Sequence, residues 1–156
     1  ISNCIICHLG CLKDWGLSLF LEKLCVEADP DWIQQAIVNF LENAVDACTD
    51  DKSKNSHRIH FRVYPRSEDT ITFDISDNGT GMDEDTRRKM FTLFFSSKGS
   101  KGTGLGLFIS NHIIQQHGGR IDVTSEYGKG THVNISIPRF RTADASIARP
   151  LLDGKN

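Results

Sequence analysis

Between residues 29 and 48 the apolar residues Ile33, Ile37, Phe40, Leu41, Ala44 and Cys48 recur at helical spacing, and Gln35, Asn39, Glu42, Asn43 and Asp46 fall on the opposite side. The spacing predicts an amphipathic helix started by Asp29 as N-cap, with Pro30 at the first helical position, where its missing N–H is harmless. Residues 58–64 and 70–76 alternate apolar and polar side chains around a turn at 65–69, which predicts a β-hairpin. A second hairpin is predicted for 120–125 and 131–138 around Tyr127-Gly128-Lys129-Gly130. Asp83 caps a short helix running to Met90. Residues 105–117 predict a helix with Leu105, Phe108, Ile109 and Ile113 inward, ended by Gly118-Gly119.

Upstream, residues 2–13 read as a short amphipathic helix and 17–21 as a first strand. Residues 49–56 form a polar loop, and 141–156 lose all pattern, as a tail or linker does. The sum is five strands with helices grouped against one face of a mostly antiparallel sheet, an α+β two-layer sandwich.

Length and composition leave that picture standing. The 156 residues, 38% hydrophobic and 24% charged, suit one soluble domain with a real core. A net charge of −2 gives no electrostatic case for nucleic acid or an anionic membrane surface, so any polyanion must be held by local geometry. No run of about 18 apolar residues occurs, and the first 24 residues lack the marks of a signal peptide. The expectation is a soluble, cytoplasmic module excised from a longer parent, since no initiator Met is present.

Five cysteines, an odd count without an export signal, argue for reduced thiols. Cys4-Ile5-Ile6-Cys7-His8 matches the c-type haem attachment pattern, and Cys4, Cys7 and Cys11 with His8 can be drawn as a zinc site. The preferred reading places the three cysteines on the buried face of a short helix as small hydrophobes.

Three features carry chemistry. Asp77-Asn78-Gly79-Thr80-Gly81 ends a strand with a carboxylate able to accept from the exocyclic amine of adenine, and Gly79 and Gly81 let backbone approach the ring. Asp-Asn-Gly is equally a common turn former. Gly102-Thr103-Gly104-Leu105-Gly106-Leu107 precedes a helix, so its backbone N–H groups can face an anion, with Lys98 and Lys101 as cationic donors or as solvated surface charges. This is neither the Rossmann fingerprint nor a P-loop. Two asparagines in the middle turns of a helix, where Lys, Glu or Gln would be more stable, suggest selection for something else. Asn43 can supply an amide oxygen to Mg²⁺ without adding charge beside phosphates. Glu42 or Asn39 can orient a water or a nucleophile.

In this order, residues 39–46, 77–81, 91–98 and 102–107 resemble the N, G1, F and G2 boxes of the GHKL ATP-binding superfamily, and most closely the catalytic domain of two-component sensor histidine kinases. The resemblance covers roughly residues 17–140. It implies a five-stranded mixed, mostly antiparallel sheet with about three helices on one face, a catalytic domain over 1–140 and a tail over 141–156.

It also implies that Asn43 ligates Mg²⁺, Asn39 lies near the phosphates, Asp77 reads adenine, Gly79 and Gly81 shape that pocket, and Thr131 assists through water. Lys98, Gly102, Thr103, Gly104, Leu105 and Gly106 match the lid and phosphate contacts, and Glu42 the acidic residue proposed to assist transfer. Some of Phe91, Phe94 and Phe95 would dock on the helix carrying the phosphoacceptor.

The gyrase, chaperone and mismatch-repair ATPases place a Glu four residues before the Mg²⁺ Asn. Asn39 stands there in this chain, which favours phosphoryl transfer over hydrolysis. None of the six histidines has the phosphoacceptor context, so the acceptor is expected on a dimerisation domain elsewhere in the parent, with a response regulator downstream. A serine-directed kinase of the same fold, or a regulatory ATP-binding module, are the alternatives.

Overall fold

The computed structural model describes residues 28–95 and 103–139. The expected first helix and first strand, the Cys4–Cys11 cluster, Lys98, Lys101, Gly102 and the tail lie outside these residues.

Helix α1 spans Pro30–Asp50. Asp29 caps it as expected, its carboxylate accepting from the N–H groups of Asp31 at 3.1 Å and Trp32 at 3.4 Å. Its buried face is Ile33, Ala36, Ile37, Phe40, Ala44 and Cys48, the predicted stripe with Ala36 added and with Leu41 only partly buried. The helix outruns its expected end by two residues. No glycine stops it there, and Thr49 folds its hydroxyl back onto the Val45 carbonyl at 2.8 Å.

Strands β1 (Ile59–Ser67) and β2 (Thr70–Asp77) form the first hairpin. The turn is tighter than expected, because β1 continues through Pro65 to Ser67 with an irregularity in register there. Among the described residues β1 is an edge strand, where a proline's missing N–H costs no ladder bond. Helix α2 (Glu84–Lys89) starts at Asp83, whose carboxylate accepts from Thr86 N–H at 2.8 Å.

Helix α3 covers Gly106–Gln116, and Gly118 ends it in the left-handed region at φ +70. Strands β3 (Arg120–Glu126) and β4 (Gly130–Pro138) complete an antiparallel sheet of order β1-β2-β4-β3. Four strands are thus described, against the five expected; the expectation of a strand over 17–21 lies outside the described residues.

Ile71, Phe73 and Ile75 of β2 and Val133, Ile135 and Ile137 of β4 form the sheet side of the core. Ile33, Ala36, Ile37, Phe40 and Ala44 of α1 and Ile113 and Ile114 of α3 close it. The inward face predicted for α3 needs correction. Phe108 and Ile109 are exposed, while Ser110, Ile113 and Ile114 are buried. The helix is turned so that Ser110 meets Asn39 of α1 at 2.9 Å, a polar contact at the interface that an apolar pattern cannot register.

The same alternation sends Asp74 to the sheet face opposite the core, yet it is only 2% exposed. Arg62 donates to it at 3.0 Å and His132 lies 2.6 Å away. Burial pushes its pKa up, but the hydrogen bonds from His132 and Arg62 outweigh burial and hold it below the ordinary value of 3.8. A depressed folded pKa means stability that is present in full above the unfolded value and lost as pH falls through the folded one. Asp74→Ala should therefore lower stability by about 1–3 kcal/mol at pH 7, in urea unfolding. The cost stays in that range because both partners keep a large part of their side chains in solvent and are not stranded as buried charges. A loss equally large at pH 2.5 would contradict the ionic origin.

Candidate functional site

One end of β2, the middle of α1 and the β3–β4 turn enclose a cavity of about 320 Å³ lined by Asn43, Ala47, Asp77, Gly81, Met90, Leu107, Tyr127 and Thr131, among others. That volume matches the lower range of small-ligand pockets. Phe40, Ala44, Ile75 and Val133 extend the core into its walls, so the interior is apolar around a few polar groups.

Asp77 is the last residue of β2 and pairs across the ladder with Thr131 of β4. Its carboxylate accepts from Gly79 N–H at 2.9 Å. Burial raises its pKa above 3.8, while the backbone N–H groups of Gly79 and Thr131 and the charge of Lys54 pull the other way. A half-buried carboxylate held at a cavity wall by two main-chain donors is placed to accept from a ligand amine.

The glycines around it are spacing devices. A Cβ on Gly79 would stand 2.4 Å from the Ala47 carbonyl carbon of α1, and Thr80 N–H donates to the Ala47 carbonyl at 3.0 Å. Gly79 therefore lets the loop seat on α1, which differs from the expected approach to a ring; the cavity is lined by Thr80 and Gly81. Gly81 has φ +62, and a Cβ there would meet the Glu126 carbonyl oxygen of the hairpin turn. The turn is in turn tied down by Gly128 N–H donating to the Thr80 carbonyl at 2.7 Å.

Asn43 lines the cavity, and its amide nitrogen donates to the Asn39 carbonyl at 2.6 Å, which orients the amide. Asn39 is placed differently. Its amide donates to Ser110 Oγ at 2.9 Å and to the Gly106 carbonyl at 3.3 Å, and it accepts from Gln35 at 3.3 Å. It ties α1 to the first turn of α3 and is not among the residues lining the cavity. Glu42 is exposed on α1 and also lies off the cavity wall. Thr131 lines the cavity with its hydroxyl 2.9 Å from Ser125 Oγ.

At the start of α3, Thr103 Oγ1 accepts from Leu105 N–H at 3.4 Å, and no described side chain caps the helix. Its first-turn N–H groups are thus left for solvent or an anion, and Leu107 brings this end of the helix to the cavity wall. Gly104, at φ +67, packs on residue 94: a Cβ there would lie 2.4 Å from the Phe94 carbonyl carbon. Phe94 itself sits at φ +63, unusual for a bulky residue, and its side chain is 72% exposed. Phe91, by contrast, packs edge-to-face on Phe40 with ring centroids 6.5 Å apart. No group of three or more metal-ligating His, Cys, Asp or Glu exists among the described residues.

Residues 28–141 match the family described as histidine kinase-, DNA gyrase B- and HSP90-like ATPase. The chain belongs to this ATPase family. Membership makes ATP the ligand class of the fold. Sporulation kinase E of Bacillus subtilis (strain 168) is 33% identical over 119 residues, covering 76% of this chain and 15% of that protein. Sensor kinase CckA of Brucella abortus (strain 2308) is 38% identical over 138 residues, covering 79% and 14%. Among solved structures, the catalytic domain of histidine kinase ThkA superposes with a TM-score of 0.62 at 30% identity, covering 77% of this chain and 76% of that one. The mycobacterial sensor histidine kinase MprB superposes at 0.63 with 27% identity, covering 73% and 76%. The chain spans about a seventh of the length of those two curated relatives.

For this ATPase-family member, the sequence reading overlooked part of the cavity wall. Ala47 and Asp50 continue the helical strip begun by Asn43, at four- and three-residue steps, and that spacing was legible. Met90 and Tyr127 come from a loop and a turn, where no periodicity points inward. No helix among the described residues is long and apolar enough to cross a membrane.

Proposed function

We propose that this chain is the ATP-binding catalytic domain of a sensor histidine kinase. It holds ATP with Mg²⁺ and passes the γ-phosphoryl group to a histidine on the dimerisation and phosphoacceptor domain of its parent, for onward relay to a response regulator. The observation that carries the reading is Asp77, half-buried at the cavity wall and held by the Gly79 and Thr131 N–H groups, with Asn43 of α1 lining the same cavity. The names of the relatives, sensor and sporulation kinases, favour this reading over a serine-directed kinase or a regulatory module.

In the proposed mechanism Asp77 accepts from the adenine amine, and Thr131 supports the same edge. Gly104, Leu105, Gly106 and Thr103 present the start of α3 to the phosphates, joined by Lys98 and Gly102. The chemistry of the residue suits a hard cation beside phosphates: Asn43 lines the cavity with a neutral amide, whose oxygen is a ligand type such a cation takes without adding negative charge. A bound Mg²⁺ would offset charge developing on the phosphate oxygens. In the transfer, the bond from the γ-phosphorus to the β-bridging oxygen breaks, a bond to the imidazole nitrogen forms, and the imidazole proton leaves to a base. Glu42, exposed on α1, is assigned to that base from the solvent side, and Asn39 to holding α3 in place. Residues 1–140 form this domain and 141–156 a tail, in a cytoplasmic part of a parent that carries its own anchor if it has one.

The test is ATP binding with and without Mg²⁺, followed by transfer of labelled γ-phosphate to a separately supplied dimerisation domain bearing the acceptor histidine. Asn43→Ala should lower Mg²⁺-dependent transfer by about 100-fold and leave Mg²⁺-free nucleotide affinity within about 3-fold. Full Mg²⁺ dependence in that variant would move the metal elsewhere. ATP bound with no transfer to any supplied histidine would favour the regulatory module.

A further inference from the structure

The adenine-side loop is braced from behind by a segment the catalytic reading does not use. Lys54, in the connection between α1 and β1, spends its ammonium donors on three acceptors: Asp51 Oδ2 at 2.7 Å, the Asn78 carbonyl at 2.7 Å and the Gly79 carbonyl at 3.0 Å. Asp51 is itself buried, and it also accepts from Ser53 N–H at 2.8 Å and Ser53 Oγ at 2.6 Å. The Asn78 side chain completes the brace, accepting from Arg58 N–H at 2.6 Å and donating to the Ser56 carbonyl at 3.2 Å. Lys54 is not among the cavity-lining residues, so it acts on the ligand through the loop and through its charge on Asp77.

We infer that Lys54 is a positioning residue for adenine recognition: its ammonium, anchored by buried Asp51, bridges the Asn78 and Gly79 carbonyls and fixes the loop that aims the Asp77 carboxylate into the cavity. The inference rests on the nucleotide reading of that cavity. Residues 78 and 79 directly follow Asp77, and the Gly79 N–H is a donor to its carboxylate. A shift of the loop therefore moves the carboxylate and its donor together. Without the ammonium, two carbonyls and a buried carboxylate lose their shared donor on the far side of this loop. A hydrogen bond that reads one ligand edge tolerates displacements of only a few tenths of an ångström. The phosphate end of the cavity, at α3, is held by different contacts and should not feel the change.

The test compares ATP with inosine triphosphate, which carries an oxygen where adenine has its amine, by calorimetry on the 156-residue chain. Lys54→Met keeps the aliphatic stem and should weaken ATP binding about 10-fold, with inosine triphosphate changed by less than about 2-fold. Lys54→Arg keeps charge and donors and should recover most of the loss. The paired variant Asp51→Asn/Lys54→Met removes the stranded carboxylate, so it reads the same ATP-selective loss if Lys54→Met does not fold. Equal losses for both nucleotides would reduce Lys54 to a general structural role, and unchanged ATP affinity would remove it from recognition; either overturns the inference. A wild-type chain that binds no ATP would instead overturn the nucleotide reading, and this inference with it.

Discussion

Asp77→Asn is expected to lower ATP affinity by about 10- to 100-fold and, at the same time, to leave the unliganded chain more stable at pH 7 than the wild type. The two effects have one source. Burial at the cavity wall raises the folded pKa of Asp77 above 3.8, against the opposing pull of its backbone donors and Lys54. A carboxyl group whose folded pKa is raised contributes stability that is present below the unfolded value and lost as pH rises through the folded one. At neutral pH the ionised Asp77 is therefore a cost to the fold, and a neutral amide of the same shape relieves it. The amide oxygen can still accept from Gly79 and Thr131.

What the amide cannot do is present an acceptor-only edge to the adenine amine, because half of it is now a donor. Calorimetry with ATP and thermal melts of the free chain at pH 7 and pH 3.5 check both halves. The stability gain should shrink at the lower pH, where the wild-type group is largely protonated. Unchanged ATP affinity would take adenine recognition away from Asp77. A melting temperature below wild type at pH 7 would show that the charge, through its two N–H bonds, stabilises this corner more than burial opposes it.

Much of this corner was legible in the sequence, for identifiable reasons. The α1 stripe, its Asp29 cap and the alternation in β4 are local patterns that appear in the structure, with Leu41 only partly buried, whereas β2 buries Thr72 and Asp74 on its second face as well as Ile71, Phe73 and Ile75 on the first. The position of Asp77 at a strand end followed from the same alternation. What escaped is whatever depends on a partner far along the chain. Ser110 on α3 carries no apolar signal, yet it bonds to Asn39, 71 residues away, and with that contact the helix turns Phe108 and Ile109 outward. Gly79 looked like a ligand-approach glycine because its neighbour Asp77 carries the chemistry, yet the backbone it makes room for belongs to Ala47. Tyr127 lines the cavity from a hairpin turn whose residues carry no inward periodicity. Tertiary contact decided each of these, and composition at the position did not.

Gly130→Ala should destabilise the chain by about 3 kcal/mol or more and abolish ATP binding in whatever fraction stays folded. Gly130 opens β4 at φ +121, a region L side chains rarely adopt, and a Cβ there would fall on the Asp77 carbonyl oxygen and 2.8 Å from Asn78 Cα. Both obstacles are backbone, so no rotamer change can yield. The facing Gly81 is held by the reciprocal constraint against the Glu126 carbonyl, so the adenine-side loop and the β3–β4 turn interlock through two glycines and neither can back away.

Gly128, two residues earlier, supplies the control. It also has positive φ, at +79, but nothing lies within 4 Å of its would-be Cβ. Gly128→Ala should therefore cost only the conformational term, about 1–2 kcal/mol, and leave ATP affinity within about 2-fold. Urea unfolding of the two variants, beside ATP titration, separates packing from conformation. Equal losses for Gly128→Ala and Gly130→Ala would show that the corner gives way under load, in which case the precision of the Asp77 carboxylate comes from the Lys54 brace and the α1 contact alone.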